Sequence, residues 1–260
     1  MKEVITEQLG NLPLVGQILR WYAHRYSEGS VVKIRQGLAR NLLWKRHHRY
    51  VNGYWIGHYE FRIQAALKRL VRPDDTFFDI GANAGFFTLI ASRLVGQHGH
   101  CIAFDPSPEN VASITEQMDL NAINNCTVVM EAIADQDGVA DFYYPSPGSP
   151  IGHLGKSRNG EQRMKVAVTT VDQAARRFGT PSFIKVDVEG AEGLLLRGAA
   201  EVVSEVRPTW LIELHSDECK KEVRQILTGG GYEFFDLDGV SVPADEPLPE
   251  HIIAQPVARG

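Results

Sequence analysis

The run Phe77-Phe78-Asp79-Ile80-Gly81-Ala82-Asn83-Ala84-Gly85 constrains the fold most: an apolar strand pattern breaks into a glycine-spaced turn and resumes as a helical pattern from Phe86. Strand, glycine turn and helix in that order open a βαβ unit, and the chain then repeats the alternation. Strands are expected over 76–80, 100–105, 127–133, 182–186 and 209–214, with helices over 86–94, 108–121, 171–178 and roughly 192–206. That pattern predicts an α/β fold with a doubly wound sheet. A further strand pair over 139–144 and 164–169 flanks a Gly-, Pro- and Ser-rich loop, 145–160, which carries His153, Lys156 and Arg158 and suits a substrate lid. Ile252-Ile253-Ala254 reads as a final edge strand after the proline-punctuated stretch 243–249.

Upstream of the alternation the pattern changes. Apolar residues recur at helical spacing over 12–26, the stretch 31–59 has no sustained period and reads as strands or loops of a cap, and 60–70 is helical until Pro73-Asp74-Asp75 ends it. The expected division is an N-terminal extension and cap, 1–72, before a nucleotide-binding domain, 73–260. With 43% hydrophobic and 23% charged residues the 260-residue chain can bury a sizeable core, and its net charge of -5 gives no basic field for nucleic acid. Cys101, Cys126 and Cys219 lack close pairing and are expected to be reduced thiols. The apolar stretch 9–19 is interrupted by Pro13 and Gly16, so no signal peptide or membrane span is expected, and a cytoplasmic location follows.

The glycine turn discriminates among ligands. No Gly-Lys-Ser/Thr follows, which removes a phosphate loop, and Asn83 stands where a dinucleotide site needs its second glycine. That weakens an NAD(P)-dependent oxidoreductase. Asp79 before Gly81-x-x-x-Gly85 suits the ammonium of S-adenosylmethionine, and Asp105 at the end of the second strand can accept both ribose hydroxyls. The expected donor contacts are Tyr59, Glu60, Asp79, Gly81, Asn83, Gly85, Phe86, Asp105, Pro106, Ser107, Glu131, Ala132 and Asp187, with S-adenosylhomocysteine as product.

Together with Phe104-Asp105-Pro106, the segment Ile184-Lys185-Val186-Asp187-Val188-Glu189-Gly190-Ala191-Glu192 makes the chain resemble the FkbM-type methyltransferases. Gly57-His58-Tyr59-Glu60 and Leu211-Ile212-Glu213-Leu214-His215 extend the resemblance over about residues 52–238. It implies a class I methyltransferase fold, Rossmann-like with a mostly parallel seven-stranded sheet, and O-methylation of a sugar or polyketide-type hydroxyl. The family's usual acid after the second strand is Glu, whereas this chain has Asp105.

Methyl transfer to an alcohol needs in-line alignment and a base for the hydroxyl proton. Asp187 ends the fourth strand, and Glu213 and His215, two residues apart, project from one face of the fifth, roughly 6.6 Å apart along it. His215 or Asp187 is the expected base, with Glu213 orienting the histidine. Glu189 and Glu192 follow at the next helix start, where they can simply complement its dipole. Lys185 is placed to pair with a carboxylate at the same edge. The same groups could ligate a metal, but they lack a fixed-spacing signature, and no metal is expected. The Arg46-His47-His48-Arg49 run reads as a solvated face or a contact for an anionic acceptor. The predicted partner is a small hydroxylated molecule rather than nucleic acid, and a homodimer is open to such a chain. The other class of reading is a catalytically inactive donor-binding module.

Overall fold

The computed structural model describes residues 26–50, 52–146, 149–155, 157 and 160–258. The helix expected over 12–26 falls, apart from Tyr26, outside the described residues, as do Lys156 and Arg158 of the loop. The chain forms two compact units that divide after Tyr59, which places the helix over 60–70 with the second unit rather than with the extension.

The first unit contains an antiparallel hairpin, β1 (Val31–Lys33) and β2 (Leu43–Lys45), and one 3-10 turn, Tyr54–Ile56. Ile34, Ala39, Trp44, Tyr50 and Tyr54 are buried, with the Trp44 and Tyr54 rings 5.2 Å apart. The basic run is not a uniformly solvated face. Arg46 is 8% exposed, lies 3.5 Å over the Tyr26 ring and bonds Ser30, while His47 and His48 both bond Glu28.

The second unit is built on β3 (Thr76–Ile80), α2 (Phe86–Val95), β4 (His100–Phe104), α3 (Pro108–Leu120), β5 (Cys126–Val129), β10 (Phe183–Val186), β11 (Thr209–Glu213), α6 (Asp217–Gly229), β12 (Tyr232–Phe235) and β13 (His251–Pro256), preceded by α1 (Phe61–Leu70). The seven-stranded sheet runs β12-β13-β11-β10-β3-β4-β5. Pairing is parallel from β11 to β5, while β13 is antiparallel to both of its neighbours. This is the doubly wound seven-stranded α/β arrangement expected. Four residues of β3, Phe77 to Ile80, are fully buried because helices cover both faces of a central parallel strand. The chain order reverses between β3 and β10, so a crevice opens beyond their carboxyl ends.

Three expected elements differ. The strand over 127–133 is two strands in different sheets, since Met130 and Glu131 break it and β6 (Ala132–Ile133) pairs instead with β9 (Gln162–Thr169). With β7 (Gly138–Tyr144) and β8 (His153–Leu154) it makes a separate four-stranded sheet, order β6-β9-β7-β8. The helix over 192–206 stops at Arg197 as α5 (Glu192–Arg197), where Gly198 sits against the Ala134 carbonyl, and restarts as a π-turn, Val202–Val206. The last strand is interior, not at the edge: β12 forms the edge and β13 inserts between it and β11. The helix α4 (Val171–Phe178) matches its expected bounds, and its cap Thr170 accepts from the Gln173 amide. Among the described residues no helix is long and apolar enough to cross a membrane, and the three cysteines are free thiols.

Candidate active site

The turn after β3 is fastened to the end of β4. The amides of Gly81 and Ala82 both donate to the Phe104 carbonyl at 3.0 Å, and the Asn83 amide donates to Asp105 Oδ2 at 2.9 Å. Gly81 has φ +79°, and a Cβ there would lie 1.8 Å from the Asp187 carbonyl oxygen, so only glycine lets β3 and β10 end this close together. Asn83 also takes positive φ, +51°, which asparagine tolerates better than most residues.

Beyond these strand ends lies a cleft that opens to solvent at its mouth. Gly81, Asn83, Asp105, Pro106, Glu131, Ala132 and Asp187 line it, as do Asn110, Phe142, Glu189 and residues 150–152 and 154 of the loop. The loop thus forms a wall of the cleft, though His153 turns away to bond Glu161 at 3.0 Å. Other expected donor contacts lie off the lining. Asp79 is fully buried, accepting from Thr88 Oγ1 at 2.6 Å and lying 3.8 Å from Lys185 Nζ. Gly85 and Phe86 start α2, Ser107 caps α3 by accepting from the Asn110 amide, and Tyr59 stacks edge-on to Tyr54 in the first unit. Glu60, at the head of α1, adds its negative field to Lys185 and His251.

Asp105 is strongly perturbed in the cleft. Burial pushes its carboxyl up to about 7, against the opposing pull of the Ser107 and Asn83 amides and the Asn110 side chain. Asn110 Nδ2 stands 3.1 Å from both carboxylate oxygens and 3.0 Å from the Pro150 carbonyl. It has two hydrogens for three acceptors. A pair of donor hydroxyls can therefore replace it on Asp105 without leaving the amide unpaired, and a ribose diol supplies such a pair.

At the neighbouring strand ends the charged groups converge. Lys185, 3% exposed, lies between Asp79 and Asp187, 3.8 and 3.7 Å away. Burial works against its charge, but the two carboxylates outweigh it and hold its pKa above the ordinary lysine value. His215 Nδ1 lies 2.8 Å from Glu192 Oε1, while Nε2 faces Glu189 at 3.5 Å, Glu213 at 3.7 Å and Asp187 at 3.8 Å. The hydrogen bond to Glu192 raises the His215 pKa to about 9; burial opposes it, and Glu192, Glu189 and Asp187 add to it by charge. Burial raises Asp187, with Glu213 adding and Lys185 and His215 opposing. Glu213, expected to orient His215, is engaged instead by His251, 3.3 Å away, which outweighs burial and keeps its carboxyl low.

Glu189 adopts φ +55°, an uncommon conformation for a non-glycine residue, and it brings that carboxylate to the ring. Asp187, Glu213 and His215 each bring one donor atom within 4.8 Å of the others, a spacing a cation could also use. Asp187, Glu213 and His215, read from strand positions, do meet. Asn110 and Glu192 as partner of Nδ1 had no strong signal in the sequence, whereas the 150–154 wall falls within the 145–160 loop expected as a substrate lid. Asn110 is an ordinary first-turn helix residue, and Glu192 equally fits a dipole-complementing acid.

The "Methyltransferase FkbM domain" family matches residues 79–234, more than half of the chain. The hexuronic acid methyltransferase AglP of Haloferax volcanii is 26% identical over 155 residues, 60% of this chain and 62% of that protein. A ribosomal protein L11 methyltransferase of Clostridium perfringens is 36% identical over 78 residues, 30% of this chain and 24% of the relative. The crystal structure of the methyltransferase FkbM from Methylobacillus flagellatus KT aligns over 75% of this chain and 55% of that one, with TM-score 0.48 and 17% identity. The chain therefore spans less than two thirds of each of these relatives.

Proposed function

The chain belongs to the FkbM methyltransferase family, and from that premise we propose that it transfers the methyl group of S-adenosylmethionine to a hydroxyl of a small sugar-like acceptor, releasing S-adenosylhomocysteine. One observation carries the reading: Asp187 lines the cleft and its carboxylate also lies 3.8 Å from His215 Nε2, so the cleft and the proton-accepting groups meet at one residue. When bound, the donor supplies an electrophilic methyl on a positively charged sulfur. Asp105, assisted by Asn110, holds the ribose hydroxyls, and Pro106, Glu131 and Ala132 line the same end.

The carboxylates of Asp187, Glu189 and Glu213 favour positive charge at this edge, as a sulfonium requires. They also favour a neutral or cationic acceptor over an anionic one. A sugar as the acceptor class is supported by the relative whose name specifies a hexuronic acid. His215 takes the hydroxyl proton at Nε2, which among the described residues has no carboxylate closer than 3.5 Å and so can receive a new donor. Deprotonation of a ring that titrates near 9 makes kcat/KM rise with pH toward that value.

The test is transfer of labelled methyl to a panel of neutral, amino and uronic acid glycosides, with EDTA in a parallel arm. Neutral or amino members are expected to be labelled whether or not EDTA is present, and His215→Ala should lower kcat roughly 10²- to 10⁴-fold with little change in S-adenosylhomocysteine affinity. No transfer to any member, or binding of NADH in place of S-adenosylhomocysteine, refutes the reading. Labelling of uronates alone overturns the charge argument, and loss of turnover restored by magnesium overturns metal independence.

A further inference from the structure

We infer that Glu192 is the positioning residue of the acid-base cluster, fixing the plane and tautomer of His215 so that Nε2 is the nitrogen presented to the acceptor. This rests on the reading of His215 as the base. Glu192 heads α5 and is fully buried, and its Oε1 accepts from the Gly190 amide at 2.9 Å while facing His215 Nδ1 at 2.8 Å. A carboxylate held on one side by backbone cannot follow the ring if it rotates. The second oxygen, Oε2, is buried and makes no hydrogen bond among the described residues, so His215 is the main cationic partner of a carboxylate removed from water.

Burial works against the Glu192 charge, but His215, the Cys219 thiol and the Gly190 amide outweigh it and hold its carboxyl below the ordinary range. Glu192 is therefore ionised where the enzyme works, and an ionised acceptor at Nδ1 retains the proton there. The other nitrogen faces a different set of groups. Asp187 and Glu189 approach Nε2 from the turn between β10 and α5, and Glu213 from β11 itself. Lys185 is tied to Asp187, and His251 on β13 is tied to Glu213. At 3.5 to 3.8 Å these acids set a field at Nε2 without occupying it.

A merely structural role for Glu192 and a positioning role make different measurements move. In the full chain, an NMR titration of the His215 ring, assigned by its loss in His215→Gln, is compared between wild type and Glu192→Gln. The His215 pKa and the rising limb of kcat against pH are both expected to fall by more than one pH unit in the variant. On the plateau above both limbs kcat should drop about 10- to 100-fold by analogy with the loss of an outer partner that orients a ligating histidine, while S-adenosylhomocysteine affinity changes by less than twofold. Glu192→Asp, which keeps the charge, should recover most of the pKa and part of kcat. An unmoved ring titration and an unmoved pH limb overturn the proposal even if kcat falls.

If Glu192→Gln does not fold, ring nitrogen shifts of the wild-type protein above pH 9 decide the matter. They should show the proton on Nδ1, and the opposite tautomer overturns the assignment. Should the wild type transfer no methyl group at all, the function proposed above fails, while the ring titration still reports whether Glu192 governs His215.

Discussion

Replacing Gly81 with alanine tests whether the contact between β3 and β10 shapes the cleft. The added methyl would sit 1.8 Å from the Asp187 carbonyl oxygen and 2.8 Å from its carbon, with Val188 Cγ1 at 3.6 Å. Those first two atoms are backbone, so no side-chain rotation relieves the clash, and the end of β10 has to move. Holding alanine at φ +79° costs roughly 1–2 kcal/mol, and forcing packed atoms apart typically adds about 1–3 kcal/mol. A total of about 2–5 kcal/mol corresponds to a Tm lower by roughly 4–20 °C for a unit of this size. Gly160→Ala is the control, because Gly160 has a similar φ, +84°, with no atom of the described residues within 4 Å of the added methyl. It should show the conformational part alone, about 1–2 kcal/mol.

Thermal melts of both variants separate strain from clash, and calorimetry with S-adenosylhomocysteine separates stability from site geometry. Gly81→Ala should bind at least tenfold more weakly, since Asp187 itself is displaced, whereas Gly160→Ala should bind normally. If Gly81→Ala melts no lower than the control and binds like wild type, the close approach of the two strands has no part in building the cleft.

Two further substitutions address the buried charges. Asp105→Asn should weaken S-adenosylhomocysteine binding by about 10- to 100-fold through loss of charge-assisted bonds. Because burial raises Asp105 to about 7, above its unfolded value, the stability this group contributes is present below about pH 4 and lost as pH rises through 7. The Asn variant should therefore lose less stability than wild type between those limits, and parallel melting curves would exclude that assignment. Lys185→Met leaves Asp79 and Asp187 without their shared cation and should cost about 3–5 kcal/mol in denaturant unfolding. A change below 1 kcal/mol would mean that these carboxylates are neutralised by protonation instead.

Legibility in the sequence followed the range of the interactions. The strands β3, β4, β10 and β11 were readable because their burial on both faces leaves nearly continuous apolar runs. The break between β5 and β6 was not, since residues 127–133 are apolar enough for one strand and only the partner choice of Ala132 and Ile133 divides them. The interior place of β13 was hidden for the same reason: Ile252 and Ile253 suit an edge or a centre equally until β11 and β12 are known to flank them. At the site, Asp187, Glu213 and His215 were found from strand positions alone, which fix the end of the sheet to which each residue belongs. The identity of the carboxylate on Nδ1 depended on the turn at Glu189 and Gly190, whose positive φ values are a property of the folded turn. The crowding of three acceptors around the Asn110 side-chain amide likewise needs Pro150, 40 residues away in sequence.

The interior position of β13 has a consequence for the order of assembly. Residues 251–256 hold β12 to the rest of the sheet, because among the described strands of that sheet β12 has β13 as its one neighbour. They also deliver His251, which engages Glu213 within the acid-base cluster. During synthesis the glycine turn and the strands beside it emerge long before this segment. A nascent chain can therefore shape the cleft at the glycine turn early, whereas Glu213 gains its His251 partner only once residues 251–256 have paired with β11 and brought β12 to the sheet.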